Sequence, residues 1–177
     1  LAGLESADLV RITTAALQGL TPANVALLST TQLLSLTTAQ INSLLATQIA
    51  GLATEQITLL GSTQIRALSS NAAGLSSAQI QAITSSALSG LESADLAFIV
   101  PDSLPGLSTD DIAQLSSTQL QGLVAAQAAV LSSAQITALT TANIAGLSAQ
   151  AVSGLSSQNL AGLESADLVR ITTAALQ

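Results

Sequence analysis

The sequence lacks the residue types on which most catalytic sites depend. Its 177 residues include no cysteine, histidine, lysine, methionine, tryptophan or tyrosine. Without cysteine the chain forms neither a disulfide nor a thiolate metal site. Without histidine or lysine it cannot assemble a Ser–His, Cys–His or Ser–Lys nucleophile. It also lacks a phosphate-binding loop motif and a dinucleotide-binding glycine fingerprint. We therefore predict that the protein is not an enzyme and has no catalytic, cofactor-binding or metal-binding residues.

Positive charge is almost as scarce. Arg11, Arg66 and Arg170 are the only cations, and the net charge is −7. A nucleic-acid-binding protein needs clustered basic residues to displace counterions from phosphates, and an anionic membrane surface repels an acidic chain. No apolar run approaches the roughly 18 residues that a membrane span requires. The sequence thus predicts no nucleic-acid partner and no membrane span.

Aliphatic residues, in contrast, are abundant. Apolar residues form 49% of the chain, yet Phe98 is the only aromatic one. Charged residues form 7%, against roughly 25% in a typical soluble domain. Disorder requires low hydrophobicity and high net charge, so this chain is predicted to bury a large aliphatic core.

An eight-residue repeat runs through the whole chain. Aligned on their leucines, the units at 29–36, 37–44 and 132–139 read STTQLLSL, TTAQINSL and SSAQITAL. Position 1 is usually Ser or Thr, position 4 Gln, Asn or Asp, position 5 Ile, Leu or Val, and position 8 Leu or Ile. Ten of the eleven glycines occupy position 7, with Gly61 as the exception. One unit, 69–75, is a residue short.

A longer repeat is superimposed on the octads. Residues 1–18 recur without change at 160–177, and chance does not give eighteen identities that include Arg11 and Arg170. We interpret 1–177 as a single continuous array in which 1–159 is one long-period module and 160–177 begins the next. Because the chain begins at Leu1, we expect it to be a segment of a longer polypeptide.

Each octad is predicted to form one short helix. Apolar positions 5 and 8 have the i, i+3 spacing of a helix, but eight residues advance an α-helix by about 80° beyond two full turns. A continuous helix would therefore wind this apolar pair around its surface, so the chain must change direction. Ser or Thr at position 1 and Gln at position 4 form a capping box. Gly at position 7 is predicted to end the helix in the left-handed conformation.

These expectations predict an all-α solenoid in which a short capped helix forms at each octad. A helix of one or two turns is unstable alone, so its Leu and Ile side chains must be buried against neighbouring units, with Ser, Thr, Gln and Ala outside. The alternative is a β-solenoid with two octads per coil. Ala, Leu and Gln favour the helix, and the alternation typical of strands is missing.

Several acidic residues are candidate cation ligands. The pairs Glu5/Asp8, Glu92/Asp95 and Glu164/Asp167 fit the octad frame as a cap and a Gln replacement, which we prefer to a calcium or acid–base site. Acidic residues also lie near a proline-rich patch at 98–106, namely Asp102, Asp110 and Asp111. We interpret that group as a solvated turn, because it lacks the ligand ladder of a calcium loop. Phe98 is predicted to fill space beside the prolines.

Units of the LTTAQI type, at 36–41, 131–136 and 139–144, resemble the octapeptide arrays of very large bacterial secreted and surface proteins, some of them adhesin-like or calcium-binding. The resemblance covers the whole chain, with departures at 69–75 and 100–107, where kinks or module junctions are expected. It implies an extracellular, acidic, cysteine-free fibre or stalk at a bacterial surface. It implies no catalytic residue.

The favoured functional hypothesis is a structural segment of an extracellular filament or stalk that continues or associates end to end with itself. Few charges oppose such self-association. The alternative is a solenoid binding module for a protein or glycan, although exposed aromatics and arginines, which mark such faces, are scarce. Ice binding would need regular ranks of threonine, and positions 1 and 2 are mixed.

Overall fold

The computed structural model describes residues 5–163 and 165–175, and all regular structure in them is helical. No strand occurs in these two ranges, so the β-solenoid alternative is wrong for the described chain. The α-helices are α1 Ser6–Leu9, α2 Thr14–Gln18, α3 Pro22–Ala26, α4 Thr30–Ser35, α5 Thr38–Ser43, α6 Ala46–Ala50, α7 Thr54–Thr58, α8 Ser62–Arg66, α9 Ser77–Gln81, α10 Ser85–Leu88, α11 Ser93–Phe98, α12 Thr109–Gln114, α13 Ser117–Leu120, α14 Ala125–Val130, α15 Ser133–Thr137, α16 Ala149–Gly154, α17 Ser157–Leu160 and α18 Ser165–Ala175. Three 3₁₀ helices complete the series: η1 Ser69–Gly74, η2 Pro101–Gly106 and η3 Ile144–Gly146.

Where position 1 is Ser or Thr, its side chain caps the helix, as the sequence predicts; at Leu45, Ala53, Gly61 and Val124 only the position-4 glutamine closes the helix start. In α5 the extended residue Thr37 accepts a hydrogen bond from the amide of Gln40 at 3.2 Å, and the Gln40 side chain returns to the Thr37 amide at 2.9 Å. The helix ends where Leu44, at position 8, is extended with φ −63° and ψ 138°. Two extended residues, Leu44 at position 8 and Leu45 at the next position 1, therefore turn the chain at this octad junction. The junction before the short unit differs, because Leu68 is helical with φ −63° and ψ −37°.

The aliphatic core is formed by positions 5 and 8, and this prediction is confirmed. Ile49, Ile57 and Ile65 at position 5 are fully buried, and Leu44 and Leu68 at position 8 are 1% exposed or less. The buried residues form one continuous cluster from Leu9 to Ile171. Burial of each such side chain stabilises the fold by roughly 1.5–3 kcal/mol, so the core holds together helices that are too short to be stable alone.

The described chain is an α-solenoid with more than three and fewer than four octads per turn. Helices three octads apart pack on each other, as α2 does on α5 and α15 on α17. Hydrogen bonds between turns join residues 25 to 31 positions apart in the sequence. Each octad therefore lies over the corner between the octads three and four positions before it.

Glycine at position 7 does not end the helices in the way that the sequence predicts. No described glycine has a positive φ, so the predicted left-handed termination is wrong. Gly74, Gly90, Gly106, Gly122, Gly146 and Gly154 instead lie where a Cβ atom would approach a backbone carbonyl oxygen of the turn below to between 1.8 and 2.1 Å. At these six positions glycine is needed because two turns of backbone come together there.

The two irregular units remain part of the array. The short unit forms η1, whose first residue Ser69 has a positive φ of 50°, and η1 packs against α6 and α11. The proline-rich unit forms η2, with Pro101 at its first turn, and packs against α9 and α14. A 3₁₀ helix rises further per residue than an α-helix, and the core passes through both units without a gap.

Candidate functional site: a glutamine ladder between turns

Among the described residues, a row of amide side chains at octad position 4 bonds one turn to the next, and we call it the glutamine ladder. All of its members are buried except Gln119, which is half-buried. It contains Gln40, Gln48, Gln56, Gln79, Gln119, Gln127 and Gln135, continued by Asn143 and Asn159. The sequence prediction placed glutamine on the outside of the solenoid, and this is wrong. Gln48 and Gln127 are 0% exposed.

Gln48 shows the geometry of one rung. Its Oε1 accepts the amide of Leu45 at 2.8 Å, which closes the start of its own helix. Its Nε2 donates to the carbonyl oxygens of Leu17 at 2.8 Å and Leu20 at 2.7 Å, which belong to the preceding turn. A single side chain therefore caps a helix and bonds it to the turn below.

The rungs satisfy backbone groups that the core would otherwise leave buried without partners. The carbonyl of Leu20, at position 8, accepts no backbone amide in the described structure and is bonded by Gln48 alone. An unsatisfied buried acceptor costs about 1–3 kcal/mol. The extended backbone at the octad junction therefore needs the rung to supply a hydrogen-bond donor. Both ends of the amide are bonded to backbone groups of the chain itself.

A fully formed rung needs a side chain with both an acceptor and donors at its tip. Gln supplies these on a flexible stem, and Asn143 reaches the same types of partner, with Oδ1 on the Thr140 amide and Nδ2 on the carbonyls of Ile112 and Leu115. The sequence signal for the ladder was the predominance of Gln at position 4 in a chain with few other long polar residues. The capping box explains only the acceptor half of that preference.

Aspartates replace glutamine at some positions and form incomplete rungs. Asp95 and Asp111 are buried and accept the amides of Glu92 and Ser108, each at 2.9 Å. An ionised carboxylate cannot donate to the carbonyls of the turn below. At Asp167 the Oδ1 atom is buried and has no hydrogen-bond partner.

The environment of Asp95 favours its neutral form. Desolvation by burial raises the pKa of this carboxyl above its ordinary value of 3.8, and the negative charge of Glu92 adds to the effect. The hydrogen bond from the Glu92 amide and the Arg66 guanidinium act in the opposite direction and lower the pKa. Arg66 also pairs with Glu92 at 3.0 Å in an exposed cross-turn ion pair, a type that contributes little to stability.

The predicted acidic pairs act as caps. Asp8 accepts the Glu5 amide at 3.2 Å, and Asp95 serves Glu92 in the same way. Glu164, of the third pair, lies outside the described residues. Asp111 caps α12 with Ser108. Within the described ranges no group of three or more acidic side chains is close enough together to hold a metal ion.

Two surface features remain. An open groove is lined mainly by hydroxyl, amide and carboxylate side chains, including Ser89, Glu92, Gln114 and Thr118. Phe98 does not fill space beside the prolines: it is 50% exposed, so that prediction is wrong. It belongs to a set of exposed apolar residues at position 7, together with Leu27, Leu59 and Val130.

No helix among the described residues is both long enough and apolar enough to cross a membrane.

Comparisons with known proteins agree with the repeat. Residues 1–38 and 104–141 match the profile of a family described as the ALTTAQ repeat, and the chain itself contains LTTAQ at 36–40. A comparison with curated proteins and a comparison with solved structures gave no match. The two matched segments cover less than half of the chain. They support its description as a tandem-repeat protein with similarity to ALTTAQ repeats.

Proposed function

We propose that this chain is a structural, non-enzymatic segment of an extracellular bacterial filament or stalk. The observation that carries the proposal is the glutamine ladder. The amide side chains of the ladder bond one turn to the next, as Gln127 does to the carbonyls of Leu96 and Ile99 at 2.6 and 2.7 Å. A protein whose side-chain amides bond each turn to the next is suited to extension along one axis.

The ladder supports a further copy of the same sequence as the partner of this chain. A solenoid turn completes its core and its rungs only when another turn covers it, so a further copy of the same sequence is the natural neighbour. Side-by-side contacts are supported by the exposed apolar residues at position 7, of which Leu27 is 70% exposed. Few charges on the chain oppose such contacts.

The extracellular location is proposed from the resemblance of the octads to bacterial surface arrays. The absence of cysteine is compatible with that location, because the core depends on no disulfide. The chain's net charge of −7 opposes adsorption to anionic surfaces.

A second candidate function is a binding module, and the groove beside Glu92 favours it. Hydroxyl and amide groups such as those of Ser89 and Gln114 suit the polar surface of a glycan or peptide. The groove contains no aromatic platform, and Phe98 is not among its lining residues. We therefore place this function second.

Small-angle scattering and electron microscopy test the filament proposal. The 177-residue chain is compared with a tandem chain in which residues 1–177 are followed by a second copy of 19–177. We expect an elongated particle whose maximum dimension roughly doubles in the tandem at constant cross-section, because each turn adds the same rise. A compact tandem particle, or a single stoichiometric partner captured by the chain at the groove, would contradict the proposal.

A further inference from the structure

The hydrogen bonds between turns are unevenly distributed along the chain. Rungs of the ladder bond the turn below from two groups of residues, Gln40 to Gln79 and Gln119 to Asn159. Within the described structure, residues 80–118 between these groups make no hydrogen bond to the turn below them. Rung partners are at most 31 residues apart, so this stretch is longer than one turn. We call the interface beneath residues 80–118 the seam.

The residues at position 4 explain why the seam has no rungs. Its four octads carry Ala87, Asp95, Ser103 and Asp111 at that position. Alanine has no polar group, and the serine hydroxyl is short. An ionised carboxylate accepts but cannot donate, so Asp95 and Asp111 only close their own helices.

Backbone carbonyls on the lower side of the seam also lack partners. By the register of the complete rungs, glutamines at positions 87, 103 and 111 would reach the carbonyls of Leu60, Leu75 and Ile83. Each of these carbonyls is at position 8, and none accepts a hydrogen bond from a described residue. The carbonyl of Leu91, above the seam, instead accepts Nε2 of Gln119 at 2.7 Å.

The seam is closed by apolar packing. Helix α10 packs on α8, and η2 packs on α9. Leu88, Leu96 and Leu104 are buried as fully as the core residues elsewhere. A Cβ atom on Gly90 or Gly106 would lie 2.1 Å from a carbonyl oxygen of the turn below, so the two backbones are in close contact. The seam therefore differs from the other interfaces in its hydrogen bonds and not in its core.

One polar contact crosses the seam in the described structure. It is the ion pair of Arg66 and Glu92, whose side chains are 60% and 59% exposed. Such a pair contributes little, because water screens it. The open groove lies at the far end of the seam, between residues 89–93 and 114–119, and Gln119 there is the ladder member that is only half-buried.

We propose that the seam is the interface at which the solenoid opens and closes again. The turn above it is held by the rungs of Gln119 to Asn143, and the turn below it by those of Gln56 and Gln79. The two laddered parts therefore separate from each other before turns separate within either part. Under the proposed filament function, on which this role rests, the seam lets the stalk lengthen under tension and shorten again.

The physical reason is the number of interactions that opening must break. Separating two laddered turns breaks apolar contacts and two cross-turn hydrogen bonds for each complete rung. Separating the seam breaks apolar contacts and one exposed ion pair. Intramolecular hydrogen bonds contribute individually to stability, and the free energy of local opening varies along a chain with such contacts. We therefore expect the seam to open at least about tenfold more often than a laddered interface.

Cysteine labelling measures this opening, since the chain has no native cysteine. Ala87→Cys places a thiol in the seam, and Ala128→Cys places a matched thiol beside the Gln127 rung. Both alanines are 1% exposed or less. In native buffer we expect Ala87→Cys to react with a thiol reagent at least about tenfold faster than Ala128→Cys. The urea dependence of its rate should be smaller than that of global unfolding, which exposes more surface.

A rung introduced into the seam should slow the labelling. Asp111→Gln supplies donors towards the carbonyl of Ile83, and we expect it to lower the labelling rate of Ala87→Cys several-fold. Asp110→Gln is the matched control, because it removes the same charge from the adjacent, exposed residue and should leave the rate unchanged.

Amide hydrogen exchange of the unmodified chain gives a second measurement without cysteine. The amides of Leu96 and Ile136 are equivalent, since each bonds a position-1 carbonyl at 3.0 Å. Leu96 lies in the seam and Ile136 beside the Gln135 rung. We expect the amide of Leu96 to exchange faster, by at least about tenfold.

Three outcomes would overturn the inference: equal labelling rates at residues 87 and 128, the full urea dependence of global unfolding at residue 87, or equal effects of Asp111→Gln and Asp110→Gln. If the rates are equal and the tandem chain is elongated, the seam fails and the filament function stands. A compact tandem particle would refute the filament function, and with it the role of the seam in a stalk, even where residue 87 labels rapidly.

Discussion

At the scale of single residues, position 4 decides how strongly one turn holds the next. Nine of these side chains bond the turn below, as Gln79 does to the carbonyls of Ile49 and Leu52, each at 2.8 Å. Gln64 is an exception: in the described structure it makes only the cap hydrogen bond, to the Gly61 amide at 3.0 Å. The chain thus contains its own comparison between a cap and a complete rung.

Gln127→Glu tests the donor half of a rung. Glutamate keeps the acceptor for the Val124 amide but removes the donors to Leu96 and Ile99. We expect a loss of about 2–3 kcal/mol in the free energy of unfolding at pH 7, because two buried carbonyls lose their partner and face a charge. Urea unfolding measures it. Gln64→Glu is the control and should cost less than about 1 kcal/mol, and equal losses would contradict the cross-turn role.

Asp95→Gln should repair an incomplete rung. By the register of Gln79, the corresponding carbonyls are those of Ile65 and Leu68. Because the Leu68 carbonyl already accepts the Asn71 amide at 2.9 Å, we expect a gain of no more than about 1 kcal/mol at pH 7. The raised pKa of Asp95 means that the folded wild type binds its proton more tightly than the unfolded chain. Stability of the wild type therefore rises as the pH falls through that pKa towards the ordinary value of 3.8.

The advantage of Asp95→Gln should accordingly shrink between neutral pH and the ordinary carboxyl range. Urea unfolding of both proteins at several pH values measures the difference, and other carboxylates cancel because both proteins carry them. A difference that is constant with pH, or that grows in acid, would contradict the incomplete rung.

At the scale of elements, glycine at position 7 sets the distance between stacked turns. The α-carbon of Gly122 lies so close to α11 that an added Cβ would be 1.8 Å from the carbonyl oxygen of Ser93. The backbone of the lower turn cannot move aside as the tip of a flexible side chain can. The close approach of the two turns therefore requires glycine at this position. Where position 7 carries a large residue, as at Leu27 or Leu59, that side chain is exposed.

Gly122→Ala tests this packing. We expect a loss of about 1–3 kcal/mol in the free energy of unfolding, since the methyl group forces α13 away from α11. Gly61→Ala is the control, because its nearest atom is 4.0 Å from the added Cβ and alanine already precedes a helix at Ala53. A neutral Gly122→Ala in chemical denaturation would show that the turns can separate without cost.

At the scale of the whole molecule, stability is a sum over neighbouring turns. No disulfide contributes, and the described structure contains one ion pair, Arg66 with Glu92, at its surface. The array tolerates the loss of a residue in 69–75 because η1 still places Leu68 and Leu75 in the core. The fold requires that the aliphatic side chains of each unit point into the core. The number of residues in a unit can vary slightly as long as this holds.

The sequence by itself determined the unit of this protein: a short helix at each octad, begun by a hydroxyl cap and buried through its Leu and Ile. These features are local, since a capping box such as that of Thr37 and Gln40 acts within four residues. The number of octads per turn, the burial of the glutamines and the role of glycine were decided by the tertiary structure. They depend on which carbonyls meet from residues about 30 positions apart, as Gln40 meets Leu9.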